Sequence, residues 1–456
     1  MSSKSAVSWP KNFLLLLVFL IPFQQRLYKL WQPISKALID PAWNLPPYFE
    51  MHLDGYITDF ALIILIGWCL KTKIAGWNAF FWHQERKYLA LFLSVAFLSI
   101  LASSHPGYIL QYWRWGHLAL AAFLFYFLRQ IKIDEKDFSR IAWTVFAAVM
   151  IECGLTIAQY FVQHSLGLKG LGEATLIASD YAGASFPMKD GSRWIFDTLF
   201  HVVRDKTYVL RASGTLPHPN ILGGFLVFGL LMTYYLYQRV KKKWALVLPI
   251  ALQWFCLFIT YSRSALLTAG IVSLLWICWI SWREKKLSSL LGIVAVSFSL
   301  CLGLFYPQLF ERGGVISYPA IAQTSDTVRL TLLEVGFSLI REHPVLGVGF
   351  NSYMLALQPL ADQGTSPVNF IHNIYMMLAV EVGILGLIPF LIFCFFVLKK
   401  GWEERANLRV MTSLLIVVAF LGIGLVDFYP LWDQASRLIF FLSAGLIFAS
   451  NKRLKA

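Results

Sequence analysis

The sequence predicts an all-α membrane protein of about twelve transmembrane helices with both termini in the cytoplasm, and three observations carry that expectation. First, 58% of the 456 residues are hydrophobic and only 14% are charged, a balance that no soluble core can hide, so lipid must solvate most of the apolar surface. Second, apolar runs recur from Asn12 almost to the C-terminus. Third, the Lys and Arg residues are divided among short segments between those runs.

The runs lie near residues 12 to 30, 55 to 70, 88 to 104, 114 to 128, 141 to 163, 220 to 238, 244 to 261, 264 to 282, 287 to 306, 372 to 398, 410 to 427 and 434 to 450. The first follows Lys4 and Lys11, like a signal peptide, but no small-residue cleavage site comes after it, so it reads as a retained helix. With the N-terminus inside, alternate connections carry Lys71, Lys73, Arg86 and Lys87; Arg129, Lys132, Lys136 and Arg140; and Arg239 with Lys241 to Lys243. Arg283, Lys285 and Lys286, then Lys399, Lys400, Arg405 and Arg409, then Lys452, Arg453 and Lys455 complete the series. Together with Lys4 and Lys11 these are 24 of the 39 basic residues, as the positive-inside rule requires. The net charge of +14 is therefore a topology signal and not a nucleic-acid footprint. All six cysteines fall in predicted spans without a C-x-x-C pair and read as small apolar fillers.

Residues 1–456 read as one polytopic domain with two long connections on the outer side, 164–219 and 307–371. Loops of that length are functional or structured, and short amphipathic helices are expected in both. In the second, Thr327 to Ile340 puts Val328, Leu332, Val335 and Leu339 on one helical face, which suits a helix lying on the outer membrane surface or over a cavity. A Gly347-Val348-Gly349-Phe350 turn follows. No internal repeat relates the two halves, which disfavours a secondary transporter.

Basic residues on the outer side run against insertion energetics, so each asks for a reason. Arg263, in the tight Tyr261-Ser262-Arg263-Ser264 turn, is either a snorkelling or capping residue or an anion ligand at the membrane surface. Arg suits a diphosphate because its planar fork donates parallel hydrogen bonds and stays charged. Arg329 is a second candidate, with an ion pair to Asp326 or Glu334 on its own helix as the bland alternative. Arg211 is a third. His372 opens the tenth run, where the helix N-terminus disfavours imidazolium and keeps the ring neutral, as a general base requires. A cap or interfacial histidine is the alternative. Glu152 sits inside an apolar run and asks for a partner or a wet cavity, and Arg114 and His117, one turn apart, are placed to share one.

His372-Asn373, nine residues and then Gly383-Ile384-Leu385-Gly386 resemble the H-[NSQ]-x9-G-x-x-G signature of the bacterial O-antigen ligase and O-antigen polymerase superfamily. Arg211-Ala-Ser-Gly-Thr-Leu-Pro-His218-Pro219-Asn220, Tyr261-Ser-Arg263-Ser-Ala265, and Arg329 followed by His343-Pro344-Val-Leu-Gly347-Val-Gly349 are similar to further segments of that superfamily in the same order. The likeness covers roughly Arg211 to Leu387. It implies a metal-independent, inverting GT-C glycosyltransferase without cofactors, in the bacterial inner membrane with its site facing the periplasm. An undecaprenyl-diphosphate-linked glycan would be the donor, and a lipid A core or another glycan the acceptor.

In that frame His372 orients or deprotonates the acceptor hydroxyl, and Arg263 and Arg329 stabilise the leaving diphosphate. Arg211, Asn373, His218 and Arg114 are secondary substrate contacts, His218 being also a natural turn and cap residue. The sequence has no D-x-D motif to hold a metal. Ligase and polymerase differ only in acceptor; the His-Asn match favours a ligase, and the long 164–219 connection leaves a polymerase open. A protein O-glycosyltransferase shares the signature, but the chain runs only six residues past the last apolar run, leaving no room for a further domain. A lipid-linked-glycan transporter or flippase is the reading outside the class.

Overall fold

The computed structural model describes residues 3–24, 55–72, 83–174, 185–187, 208–312, 319–362 and 369–449. Lys73, Lys452, Arg453, Lys455 and the end of the first apolar run lie outside the described residues. Among the described residues, each apolar run falls largely on a helix. In chain order these are α1 (Ser3–Leu20), α2 (Ile57–Thr72), α3 (Gln84–Leu101), α4 (Ile109–Gln130), α5 (Glu135–Val162), α6 (Pro219–Arg239), α7 (Val247–Ile259), α8 (Arg263–Glu284) and α9 (Leu290–Arg312). The second long connection holds α10 (Pro319–Glu342) and α11 (Tyr353–Asp362). Then come α12 (Ile374–Glu403), α13 (Leu408–Ile423), the single turn α14 (Tyr429–Trp432) and α15 (Gln434–Phe448). Among the described residues, α5, α6, α8 and α12 are the four helices long and apolar enough to cross a membrane, while α1, α7, α9, α13 and α15 carry shorter apolar stretches.

The two long connections differ. The second is helical, as the periodicity of Thr327 to Ile340 predicts: Leu332 and Leu339 are buried with Tyr353, Leu357, Ile371, Met377 and Val380, and Val328 and Val335 pack against them. Of the first, residues 175–184 and 188–207 lie outside the described residues, so most of the expectation of amphipathic helices there falls outside them too. Ser185–Pro187 pairs antiparallel with Tyr208–Leu210, and the only helical piece among the described residues of 164–218 is the one-turn Lys169–Leu171. The apolar Tyr-Val-Leu triplet favours extended chain.

The chain divides into two compact units. One comprises 1–25, 133–326 and 406–423 and is built around α6, which is buried on nearly all sides as a helix apolar all round must be. Gly223 and Gly229 let neighbours close on it: a Cβ on either would come within 2.6 Å of Ala265 or Val149. α5 begins with a reciprocal capping box between Asp134 and Asp137. The other unit comprises 26–132, 327–405 and 424–456, with α12 packed on α3 and α15 packed on α4.

α12 is not the continuous helix that residues 372 to 398 read as. Gly383 has φ 62° and ψ −171°, a conformation open in practice to glycine alone, and the helix breaks there. The freed backbone groups bond to the segment after α10. Ile384 N–H donates to Pro344 O (3.0 Å) and Leu385 N–H to Val345 O (3.2 Å), while Val348 and Gly349 N–H donate to Val380 O (2.9 Å) and Glu381 O (3.0 Å). A Cβ on Gly383 would strike the Val345 and Leu346 backbone, and one on Gly347 the Val380 and Glu381 backbone. Two glycine motifs far apart in sequence thus form one backbone junction. Glu381, 1% exposed, extends it by accepting from the N–H groups of Asn351 (2.9 Å) and Tyr353 (3.4 Å).

Candidate functional site

The N-terminus of α12 builds one half of the candidate site. Asn373 is its N-cap, accepting from Tyr375 and Met376 N–H at 2.9 Å each, and its Nδ2 donates to Leu425 O at 3.0 Å. Ile374 N–H adds a bond to Gly424 O at 2.8 Å. These bonds fasten the start of α12 to the segment leaving α13, which carries Asp427 and Phe428. The His372 ring stands edge-on to Phe428, centroids 5.8 Å apart at 87°, and Phe428 stacks on Phe370 at 4.6 Å.

His372 is thereby held in a partly buried, aromatic setting between charges of opposite sign. Burial pushes its pKa below the ordinary imidazole value; the Asp427 carboxylate opposes that shift, the Arg329 guanidinium reinforces it, and the Phe370 backbone carbonyl opposes it. The net shift favours the neutral ring, and its buried Nδ1 has no hydrogen-bond partner among the described residues. Arg329 projects from half-buried α10 and, among the described residues, makes no ion pair; the alternative pair with Glu334 on its own helix is not formed. The Tyr353 hydroxyl, Tyr429 hydroxyl and Trp432 Nε1 of the same unit are also buried without partners among the described residues.

Asp427, 3% exposed, is the residue that sequence reasoning missed. Its signal was a carboxylate closing the apolar run 410 to 427, in a region read only for basic residues.

In the other unit the segment Arg211 to Thr215 is clamped by side chains of α5. Gln159 Oε1 accepts from Ser213 N–H (3.1 Å) and Gly214 N–H (2.8 Å), and Gln159 Nε2 donates to Gly214 O (2.8 Å) and Glu173 Oε1 (2.7 Å). Glu152, fully buried, accepts from Thr215 N–H (2.9 Å) and from the Thr215 hydroxyl. The apolar run therefore carries its carboxylate to hold a backbone turn.

Arg211 is 2% exposed and bonds inward, from Nε to Thr260 O (3.0 Å) and from a terminal nitrogen to Asn220 Oδ1 (2.5 Å). His218 caps α6, its Nδ1 accepting from Asn220 N–H at 3.1 Å. Both residues tie the segment to the ends of α6 and α7.

The same ties aim the turn before α8. Tyr261 has φ +50°, uncommon for a bulky residue, and is fully buried, with its hydroxyl 3.3 Å from that of Tyr160. Ser262 N–H donates to Thr260 Oγ1 at 3.1 Å. From this fixed turn Arg263 opens α8 as an exposed side chain that makes no ion pair or hydrogen bond among the described residues. A buried, strained turn thus presents one outward cation.

Arg114, partly buried, and His117, buried, lie on α4 in the same unit as His372. His117 Nε2 lies 3.3 Å from Asp59 Oδ2, Gln434 Nε2 donates to Asp59 Oδ1 at 2.8 Å, and Arg437 donates to the Asp433 and Trp432 carbonyls at 3.3 and 3.1 Å. The structure thus gathers His372, Asn373 and Arg329 with Asp427 in one unit, and Arg211, His218 and Arg263 in the other.

Comparison with known proteins bears on the same residues. Residues 248–391 match the family model described as O-antigen ligase, a stretch that contains Arg263, Arg329, His372, Asn373, Gly383 and Gly386. A curated General O-oligosaccharyltransferase of Acinetobacter baylyi is 26% identical over 252 residues, which is 52% of this chain and 42% of that protein. The match thus spans about two fifths of the relative's length. Both matches support the O-antigen ligase superfamily that the motifs resemble.

Proposed function

We propose that this chain, which carries the O-antigen ligase segment in a helical membrane scaffold, transfers a glycan from undecaprenyl diphosphate to an acceptor hydroxyl on the periplasmic face of the inner membrane. The observation that carries this reading is the setting of His372: a ring whose neutral form burial favours, with Asp427 and Arg329 shifting it in opposite directions. A neutral imidazole accepts the acceptor's proton as its oxygen attacks the anomeric carbon, and Asp427 stabilises the imidazolium that results. Arg329 supplies positive charge where the diphosphate leaves. Attack from the face opposite the leaving group inverts the anomeric centre.

Arg263 is the second diphosphate ligand in this reading, because its guanidinium is exposed and uncommitted among the described residues. Arg211 and His218 act through it, holding the turn that presents it. Asn373 acts through His372 and Asp427 by joining their segments. The buried Tyr353, Tyr429 and Trp432 donors supply hydrogen bonds that sugar hydroxyls can satisfy. The topology that goes with the reading is twelve spans with both termini cytoplasmic, the 307–371 connection covering the site, and no metal taking part.

The test is transfer with purified full-length protein, a polyprenyl-diphosphate-linked glycan and three acceptors: a lipid A core oligosaccharide, a second carrier-linked glycan, and a protein with exposed Ser and Thr hydroxyls. Product formed without nucleotide and undiminished by a chelator supports the reading, and the acceptor used separates ligase from polymerase and from the activity named for the Acinetobacter relative. Translocation of the lipid-linked glycan in proteoliposomes, without transfer to any acceptor, overturns it.

A further inference from the structure

At the start of α3 the fold buries a cation that meets no anion of its own. Arg86 is 4% exposed, yet its guanidinium makes no ion pair among the described residues and its Nε has no hydrogen-bond partner among them. The charged groups that act on it are Arg129 and Glu85. Glu85 is already committed: it accepts from Arg129, whose guanidinium also lies over the Phe448 ring at 4.7 Å. Arg129 keeps its own buried Nε without a partner among the described residues. The stretch 73–82 before α3 contains no Asp or Glu. Two guanidinium groups thus share one carboxylate, and burying a charge short of its counter-charge is costly unless an anion joins it.

An apolar groove of about 450 Å³ opens beside this corner, between α2 and α4. Ile63 and Ile66 line it from α2, while Trp115 and Tyr126 mark its ends on α4 with Gly116 and Ala119 between them. A Cβ on Gly116 would meet no heavy atom within 4 Å, so no internal contact fills that space. Groove and cation adjoin. The Tyr126 hydroxyl donates to Arg86 O at 2.8 Å, and at the far end Trp115 Nε1 donates to Leu93 O at 2.9 Å and its ring meets that of Phe97 edge-on at 5.1 Å. Arg86, Leu93 and Phe97 follow one another at i, i+7 and i+11, on one face of α3. The guanidinium therefore springs from the face of α3 that borders the groove, at its Tyr126 end.

From Trp115 to Tyr126 the groove follows about 16 Å of helix, roughly half of a hydrocarbon core about 30 Å thick. That is the depth of the acyl chains of one leaflet. A ligand that satisfies both features has an anionic head at Arg86 and a hydrocarbon tail running toward Trp115.

We propose that the groove between α2 and α4 holds an acyl chain of an anionic glycerophospholipid whose phosphate pairs with Arg86 and Arg129. Basic pockets between membrane helices on the cytoplasmic side recognise such headgroups, and the positive-inside pattern assigns both arginines to that side. A zwitterionic lipid would bring a further cation to the pair, and a free phosphate would leave the groove unused. The site does not depend on the glycan-transfer reading.

Native mass spectrometry of the detergent-purified full chain, titrated separately with phosphatidylglycerol, phosphatidylcholine and inorganic phosphate, tests it. Phosphatidylglycerol adducts are expected to exceed phosphatidylcholine adducts, and Arg86→Gln to reduce the former about fivefold while leaving the latter unchanged. Gly116→Leu, which fills the groove without altering a charge, should also reduce the phosphatidylglycerol adducts. Lys87→Gln, the same charge change on the exposed neighbour of Arg86, should have a smaller effect. Arg86→Met gives the same reading should the first variant impair folding. Equal adducts of the two lipids, parent-like binding in the Gly116 variant or in the folded Arg86 variants, or an equal loss in the Lys87 variant overturns the proposal. Inorganic phosphate that binds alone and displaces the lipid identifies a soluble-anion site and overturns it as well.

Discussion

Asn373 donates from its side-chain amide to the carbonyl oxygen of Leu425 at 3.0 Å, joining the residue after His372 to the segment that delivers Asp427. A cap residue therefore does two things here. It starts α12, and it fixes which carboxylate the histidine faces.

In the catalytic reading, His372→Ala removes the base and lowers kcat by roughly 10²- to 10⁴-fold. Binding of the lipid-linked donor and the thermal unfolding midpoint in detergent stay near those of the parent. A collapse of the unfolding midpoint would make His372 a packing residue instead.

The charges around the ring set a pH signature. Because burial holds the His372 pKa below its ordinary value, kcat/KM falls on the acid side with an apparent pKa below about 6.5. Arg329 disfavours imidazolium, so Arg329→Gln moves that limb to higher pH. Asp427 favours imidazolium, so Asp427→Asn moves it to lower pH. Rate profiles of the two variants that shift in the same direction, or not at all, would sink the assignment.

Arg263→Lys retains charge but loses the planar fork. Turnover should fall at least about tenfold, with secondary structure and unfolding unchanged, since the side chain makes no internal bond among the described residues. Parent-like kinetics would remove Arg263 from the diphosphate.

Thr215→Val deprives the buried Glu152 of its hydroxyl donor. Leaving that carboxylate oxygen unmatched costs about 1 to 3 kcal/mol, to be measured by unfolding in detergent. Combining the change with Glu152→Gln, which removes the charge, should recover part of the loss.

Gly383→Ala forces a side chain into a φ of 62° and against the Val345 backbone. The backbone conformation alone costs about 1 to 3 kcal/mol, to which the overlap adds. Gly292→Ala is the matched control: it lies in α9 with no heavy atom within 4 Å of its added Cβ, and it should be neutral or slightly stabilising.

The helices were legible because lipid leaves a long apolar run few other structures, and the buried face of α10 was legible because Val328, Leu332, Val335 and Leu339 repeat at helical spacing. What escaped the sequence depends on contacts made across long separations. Gly383 sits in an apolar run that reads as unbroken helix, and only the bonds to Pro344 and Val345 show why it breaks. Asp427 becomes relevant to His372 through the bonds of Asn373 to Leu425 and of Ile374 to Gly424, about fifty positions apart in sequence. Glu152 asked for a partner or a wet cavity, and only the fold shows that the partner is Thr215, 63 positions later.

The broken α12 separates two kinds of information within one short signature. In the catalytic reading His372 and Asn373 speak to chemistry, whereas Gly383 speaks to the crossing of two backbones. Drift in the chemistry, to a new acceptor or to none, would leave the glycine under the same selection, because the crossing holds the scaffold together whatever is transferred. A chain retaining the glycine spacing without the histidine would then keep the architecture and have lost the reaction, so the histidine is the position to inspect first when a distant sequence is assigned an activity.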